Sequence, residues 1–398
     1  MTGYPGCMDA YGDFRAAVRR EMERRGVGVK AVAARTHYNH AFLSRVLSGR
    51  QRPSAKLAQE LDRYLGVGGA VVALYEGRTP AGSPDGGLAP LPGIHSVDEA
   101  QLAPTIRRLS RRLITLDNEL HGLPIAESAT RAFKAARRRL KGGIGSAYER
   151  DVQAAAAELA EIAGWACFNE GYTDASGLFS REALGLARES GDRGIELLTL
   201  QNLAMLAGWT DQPHEELTIA QTVIADRALH PRVEAMFRAR EGQGLGRTGD
   251  HTRSARAFAR ARSLLQEAAP SDGPEWAWWV SPAEIDRQEG RVRSTTGRWN
   301  DAIPVLRRAT NGSPESPAVG YRQAAAVWLL DSLLSVQAWR DAQETAEALV
   351  LAVRETSSRA TLGNLRRVLS RDTSAAPADL RDSLDGVRAA LAQDPFRL

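Results

Sequence analysis

Small residues recur at one fixed spacing in the second half of the chain. Steps of 7, 5 and 7 residues separate Gly164, Gly171, Ser176 and Ala183. The same steps separate the members of two later series, which are Gly242, Gly249, Ser254 and Ala261, and then Gly290, Gly297, Ala302 and Ala309. Small side chains at such steps let two antiparallel helices cross closely, with the second glycine in the turn that joins them. The spacing therefore predicts stacked helix pairs and an all-α fold.

Two weaker series fill the gaps in this register. They are Ala204, Asp211, Glu216 and Val223, and then Leu330, Gln337, Ala342 and Leu349. Five such units, which start about 40 residues apart, are enough to bury a continuous core. The pattern resembles the tetratricopeptide (TPR) repeat, which implies an α-solenoid with a concave face. We expect residues 98–141 to form two helices before the solenoid and residues 377–393 to form a helix that caps it.

The segment from Val29 to Ser54, VKAVAARTHYNHAFLSRVLSGRQRPS, has a different pattern. It predicts two short helices joined by a tight turn, and then a basic turn that contains Arg50 and Arg52. Asn39 is placed to cap the second helix, because its side chain can accept hydrogen bonds from the first free amides. In that helix three apolar residues recur at helical spacing and face inward. The outward face is left to His40, Ala41, Ser44 and Arg45.

Residues 13–75, and the stretch LSRVLSGRQRPS above all, resemble the five-helix DNA-binding domain of the phage-repressor and Cro type, the XRE family. The resemblance implies a helix-turn-helix that binds double-stranded DNA. It implies that the outward residues of the second helix lie against base edges and that Arg50 and Arg52 hold phosphates. The family often begins the first motif helix with a glutamine that contacts a phosphate. Val29 and Lys30 stand there instead, so we expect Lys30 to make that contact.

Composition divides the chain into four parts. We expect a helix-turn-helix domain over residues 10–75, a Gly- and Pro-rich flexible linker over 76–97, connecting helices over 98–150, and the repeat domain with its capping helix over 151–398. The net charge is +6 over residues 1–78, −3 over 79–102, +7 over 103–141 and −6 over the remainder. A basic N-terminal part followed by an acidic remainder is typical of a protein in which one domain has a nucleic-acid-binding surface and the rest is an ordinary globular domain.

Other classes of protein have little support in the sequence. No apolar run is long enough to span a bilayer, so we expect no membrane association and a cytoplasmic, nucleoid-associated protein. The two cysteines and seven histidines show no spacing typical of a metal site, and we expect no cofactor. The GLGRTG stretch beginning at Gly244 matches a dinucleotide-binding pattern, but it follows a helical segment rather than a strand. We expect the protein not to be an enzyme.

The whole architecture resembles a group of actinobacterial transcriptional regulators, an XRE head followed by a TPR-like solenoid. The segments AAELAEIAGWACFNEG and PEWAWWVSPAEIDRQEGR are similar to recurrent segments of that group. The resemblance implies a homodimer with a peptide or small-molecule effector in the solenoid groove. The residues expected to bind that effector are Trp165, Gln201, Asn202, Gln243, Trp276, Trp279, Arg287, Arg291 and Asp331.

Two alternatives stay open at this point. The groove residues are equally well explained as solvated side chains of the concave face, and the tryptophans of residues 276–279 either form a lid or belong to the core. The whole chain has a second interpretation as an adaptor, in which the solenoid recruits a protein partner and the head is auxiliary.

Overall fold

The protein is described by a computed structural model over residues 11–36, 38–48, 51, 53–67, 69–75, 94, 97–119, 125–226, 229–267, 273–277, 279–311, 319–355 and 358–392. The chain divides into two compact units, residues 1–93 and 94–398. Every regular element in the described part of the chain is helical. The all-α class predicted from the repeat spacing is therefore confirmed.

The first unit is a small helical domain. Its helices are α1 (Gly12–Arg24), α2 (Val29–Arg35), α3 (His40–Leu47), α4 (Ala55–Leu65) and α5 (Ala70–Tyr75). They enclose a core of fully buried side chains, which includes Phe14, Val18, Val32, Leu43, Leu57, Leu61 and Leu65. Gly66 ends α4 in a left-handed conformation, with φ of 54°. The buried carboxylate of Asp62 then accepts hydrogen bonds from the amides of Gly69 and Val71, both at 2.7 Å, so it fixes the start of α5 against α4.

The second unit begins with two helices that pack on a third. These are α6 (Glu99–Glu119), α7 (Ala126–Lys141) and α8 (Ser146–Asn169). The two helices expected over residues 98–141 are thus present. The expected boundary between residues 150 and 151 is wrong, because α8 runs through it without a break. Of the expected linker, residues 76–93 lie outside the described residues.

Five antiparallel helix pairs follow one another from α8 onward, and two helices close the series. The further elements are α9 (Thr173–Ser190), α10 (Arg193–Trp209), α11 (Pro213–Ile224), α12 (Pro231–Arg247), α13 (His251–Glu267), a 3₁₀ turn (Glu275–Ala277), α14 (Pro282–Thr295), α15 (Trp299–Thr310), α16 (Val319–Ser335), α17 (Trp339–Glu355), α18 (Arg359–Leu369) and α19 (Ala378–Ala392). The last, α19, packs on α17, as expected of a capping helix over residues 377–393.

The turn inside each pair has the same backbone conformation. The second residue of all five series has a positive φ, with 83° at Gly171, 62° at Asp211, 93° at Gly249, 75° at Gly297 and 59° at Gln337. Asp211 and Gln337 are the non-glycine residues with positive φ in the described part of the chain. The two weaker series are therefore true members of the repeat, with the same turn.

The first glycine of a series allows close helix crossing. A Cβ atom on Gly290 would lie 2.4 Å from the Leu306 side chain of the paired helix, and one on Gly242 would lie 2.7 Å from the Phe258 ring. The hydroxyl of Ser254 donates to the backbone carbonyl of Gly242 at 2.6 Å. The small residues are thus needed for space, as the spacing predicted.

The helix pairs curve until the end of the series contacts its beginning. Helix α18 contacts α8, and the guanidinium of Arg359 lies 6.0 Å from the ring centroid of Tyr172, in the turn after α8. Because of this curvature the first helix of each pair faces a narrow interior rather than an open groove.

Candidate nucleic-acid interface and solenoid interior

Helix α3 presents a polar face to solvent. The Asn39 side chain caps it by accepting hydrogen bonds from the amides of Ala41 at 2.8 Å and Phe42 at 3.4 Å, so the predicted cap is confirmed. Three residues of α3, Leu43, Val46 and Leu47, are buried in the core of the first unit. The exposed side chains on α3 include the four residues expected to face the bases, His40, Ala41, Ser44 and Arg45. That they read bases stays a prediction.

Arg45 is oriented by a residue outside its helix. Its Nε atom donates to Gln51 Oε1 at 3.0 Å, and the Gln51 amide donates to the Arg45 carbonyl at 3.2 Å. This contact uses Nε and leaves the two terminal nitrogens of the guanidinium directed away from Gln51. Those two nitrogens are the pair that an arginine presents to the O6 and N7 atoms of guanine.

Other basic side chains of the first unit bear on the proposed DNA-binding surface. Arg19 of α1 donates to the carbonyl of Leu47 at 2.5 Å, which satisfies a free carbonyl at the end of α3. Lys30 is exposed near the start of α2. Arg50 and Arg52, expected to hold phosphates, lie outside the described residues.

The interior of the second unit contains a series of buried polar side chains that bond across neighbouring pairs. Asn202 of α10 donates to Glu161 of α8 at 2.5 Å and accepts from Gln201 at 2.8 Å. Gln201 in turn accepts from Nε of Arg240, on α12, at 2.9 Å. Glu216 of α11 lies 3.7 Å from Arg240 Nη1. The first half of this polar series therefore links α8, α10, α11 and α12.

A second part continues from α12 into α14. Gln243 donates to Gln288 at 2.8 Å, and Gln288 donates to Glu284 at 2.7 Å. The Glu284 carboxylate also pairs with Arg287, through Nε at 2.7 Å and Nη2 at 2.5 Å. Gln243 accepts from Arg291 Nη1 at 3.3 Å. One amide, that of Gln243, thus bonds to two residues of α14 that lie one helical turn apart.

Arg291 also connects the interior to an aromatic cluster. Its Nη2 atom donates to the carbonyl of Gly208 at 3.3 Å, and its guanidinium lies 4.2 Å from the ring centroid of Trp209. Trp209 packs edge-on against Phe168, which stacks on Trp165 at 5.8 Å. Arg291 therefore makes a cation–π contact in a desolvated place, where such contacts are strongest.

The series ends at α16. Asp331 accepts from Ser294 of α14 at 3.4 Å and pairs with Arg371, in the loop after α18. Six of the expected effector-binding residues therefore belong to three neighbouring groups of bonded polar side chains in this interior. They are Gln201 and Asn202 in the first group, Gln243, Arg287 and Arg291 in the second, and Asp331 in the third. All six are buried. The alternative that they are solvated side chains of an open face is wrong, because the curvature of the helix pairs encloses them.

The expected tryptophans lie in different places. Trp165 is half-buried in the aromatic cluster. The Trp276 side chain is buried against the start of α10, and the added Cβ of Gly194 would lie 3.5 Å from its indole nitrogen. Trp279 is half-buried, and Trp278 lies outside the described residues. Trp276 thus belongs to the core, which is the alternative to a lid.

Enclosure changes the acid–base properties of this interior. Burial raises the pKa of Glu161 to about 8, and the neighbouring charge of Glu158 adds to the effect. Burial likewise raises the pKa of Glu158 to about 7 and that of Glu216 above its ordinary value. Burial lowers the pKa of Arg291 to about 9. Each shift favours the uncharged form, as expected when charge is removed from water.

Several residues of these surfaces were absent from the sequence prediction. Gln51 orients Arg45 from an irregular turn, where periodicity gives no signal. Arg240 and Gln288 each join two helix pairs, and both are buried on the first helices of their pairs. The sequence signal existed there, since charged and amide residues interrupt otherwise small and apolar helices. Glu216 occupies the small-residue position of a weak series, and only its burial shows that it faces the interior.

One family model matches part of the first unit. Residues 13–74 match the model described as a helix-turn-helix domain. No curated protein matches the chain. Among solved structures, the chain is similar to Bacillus thuringiensis PlcR in complex with the peptide PapR7 and DNA, at 11% identity, with 75% of this chain and 92% of that chain covered and a TM-score of 0.35. That score is too low to assign a shared fold.

Two kinds of feature are absent from the described residues. No helix there is long and apolar enough to cross a membrane. Nor do three or more His, Cys, Asp or Glu side chains of the described residues come together in a group that would hold a metal ion.

The raised pKa of Glu161 predicts how stability depends on pH. Between its unfolded value near 4.5 and its folded value of about 8, the folded protein binds more protons than the unfolded chain. The free energy of unfolding therefore falls as pH rises through this window. Glu161→Gln should make the protein more stable than the wild type at pH 8 by more than 1 kcal/mol, since one pKa unit corresponds to about 1.4 kcal/mol. At pH 4, below the unfolded value, the two should be nearly alike.

Tryptophan fluorescence during urea unfolding measures this, because all 8 tryptophans lie at or beyond residue 165, in the second unit. Glu149→Gln, at an exposed position of the same helix, is the matched control and should keep the wild-type dependence. An equal gain for Glu161→Gln at both pH values would contradict a titrating, buried Glu161.

Proposed function

We propose that the protein is a sequence-specific DNA-binding transcriptional regulator. The observation that carries this proposal is the exposed polar face of α3, which is capped by Asn39 and packs on the apolar core of the first unit. In this motif the second helix lies in the major groove. Arg45 would contact a guanine, with Gln51 holding its orientation, and Lys30 would contact the phosphate backbone. The matched family model for residues 13–74 supports the same assignment.

Arg45→Ala should lower affinity for the cognate operator about 10- to 100-fold, because a lost bidentate contact to a base costs about 1–3 kcal/mol. Affinity for unrelated DNA should change much less. Lys30→Ala is the matched control, since it should weaken cognate and unrelated DNA by similar factors. Fluorescence anisotropy with labelled operator and with scrambled DNA of equal length measures both ratios.

Equal losses on the two DNAs for Arg45→Ala would contradict a base-reading role. A wild-type protein that binds no DNA fragment at low salt would contradict the proposed function and favour the adaptor interpretation.

We infer that the regulator acts as a homodimer. One recognition helix reads only a few base pairs, which is too little to define a site in a genome. Proteins with related motifs read a longer site as dimers, in which two DNA-binding domains contact half-sites one helical turn apart. We assign dimerisation to the second unit, because it is the larger of the two units.

We further propose that the solenoid interior senses a peptide or a small polar molecule. The support is chemical: amides, guanidinium groups and carboxylates line one interior and are bonded to one another. Both carboxylate oxygens of Glu216 are buried and make no hydrogen bond within the described residues, and Nη1 of Arg240 lies 3.7 Å from Oε1. The ion pair with Arg240 offsets part of the cost of burying this carboxylate, and a ligand that donates a hydrogen bond would offset more of it. An effector with its own donors would replace existing partners and change the packing of α10, α12 and α14.

A mixed-sequence pool of short peptides should raise the urea midpoint of the full chain, because a ligand that binds only the folded state stabilises it by mass action. Gln243→Ala should reduce the increase, since Gln243 links α12 to Gln288 and Arg291 of α14. A pool of the same amino acids in free form is the matched control, and an increase with that pool alone would assign a small molecule. No increase with either pool would contradict sensing in this interior.

A further inference from the structure

Helix α7 has a strongly basic exposed face. Arg131, Lys134, Arg138 and Lys141 are spaced by 3, 4 and 3 residues, which places them on one side of a helix. All four are exposed. The chain has only four lysines, and two of them belong to this set, which we name the α7 basic face.

The other cations of α7 have a different role. Arg137 forms an ion pair with Glu182 at 2.8 Å. Arg139 donates to the carbonyls of Ile94 at 3.2 Å and Val97 at 3.0 Å. These two arginines therefore stabilise the packing of the second unit, whereas the α7 basic face is directed away from it.

Cations outnumber carboxylates on α7. The helix carries six cations and one carboxylate, that of Glu127, which pairs with Arg131 at 2.5 Å. A helix dipole favours cations only in the last turn. Arg131 and Lys134 lie in the first two-thirds of α7 (Ala126–Lys141), so the dipole does not explain them. The contrast is sharper because residues 142–398 have a net charge of −6.

The apolar side of α7 is already used. Ala129, Phe133 and Ala136 are buried in the core shared with α6 and α8. A helix that binds a membrane surface must insert its apolar side into the lipid. The α7 basic face therefore fits a purely ionic partner better than a membrane.

We propose that the α7 basic face binds the phosphate backbone of double-stranded DNA. Ten residues separate Arg131 from Lys141, which corresponds to about 15 Å along a helix. One strand of B-DNA rises about 3.4 Å per phosphate, so the face matches the rise of about four phosphates. The contact is independent of sequence and adds to the specific contact of the first unit. It rests on the proposed DNA-binding function.

The test is the salt dependence of DNA binding by the full-length protein. The slope of log affinity against log salt concentration changes by about 0.9 for each phosphate contact. The variant R131Q/K134Q/R138Q/K141Q should therefore have a slope smaller by about 3 to 4 on an operator fragment extended by several helical turns on both sides. When the salt concentration rises from 50 to 200 mM, the DNA affinity of both proteins should fall. The factor by which it falls should be about a hundred times smaller for the variant than for the wild type.

Two further variants separate DNA contact from other effects. R256Q/R340Q/R366Q/R381Q removes four exposed arginines from later helices and should keep the wild-type slope. R131K/R138K keeps every charge and should keep the slope as well. Circular dichroism melting shows whether each variant is folded. If the α7 variant does not fold, the single variants K134Q and K141Q should each lower the slope by about 1.

The outcomes distinguish this inference from the proposed function. A wild-type protein without affinity for DNA overturns the function itself. A wild type that binds DNA, together with α7 variants that keep its slope, overturns only the role of the α7 basic face. A slope lowered equally in the α7 variant and in the four-arginine control also overturns it, because net charge alone would then be responsible.

Discussion

The enclosed cation Arg291 sets the main constraint on the second unit. A buried guanidinium is costly unless its donors and its charge are satisfied. Its hydrogen-bond partners are the amide of Gln243 and the carbonyl of Gly208, and the ring of Trp209 covers its face. These partners lie on α10 and α12, whereas Arg291 lies on α14. The helix pairs are therefore joined by polar bonds with specific geometry as well as by apolar packing, so a shift of one pair disturbs its neighbours.

Because of these polar bonds, the solenoid interior couples the positions of neighbouring helix pairs more strongly than a purely apolar core would. Apolar contacts tolerate small displacements, whereas a series of directional hydrogen bonds has few satisfied arrangements. Glu161 and Glu216, at the α8 and α11 ends of the series, have raised pKa values caused by burial. A ligand that supplied a donor to Glu216 would favour one arrangement over another. The proposed sensing and dimerisation would then be two consequences of one packing change.

The sequence predicted the repeat and its turns well, because backbone requirements leave a local signature. Gly171, Gly249 and Gln337 share a positive φ that the spacing located without any structural information. Of the residues expected in the groove, Gln243 and Arg291 are hydrogen-bonded to each other, and Asp331 is buried on α16. Enclosure was not predicted, because curvature depends on the sum of small rotations between pairs. The contact of Gln51 with Arg45 was missed for a related reason: it is formed by an irregular turn.

The central claim is that α3 enters the major groove and that two copies do so one helical turn apart. Methylation interference on an operator fragment tests it most directly, because dimethyl sulfate modifies guanine N7 in the major groove and adenine N3 in the minor groove. We expect interference at guanines in two clusters separated by about 10 base pairs on one face of the DNA. Interference confined to adenines, or a single cluster of guanines, would contradict the paired major-groove contact.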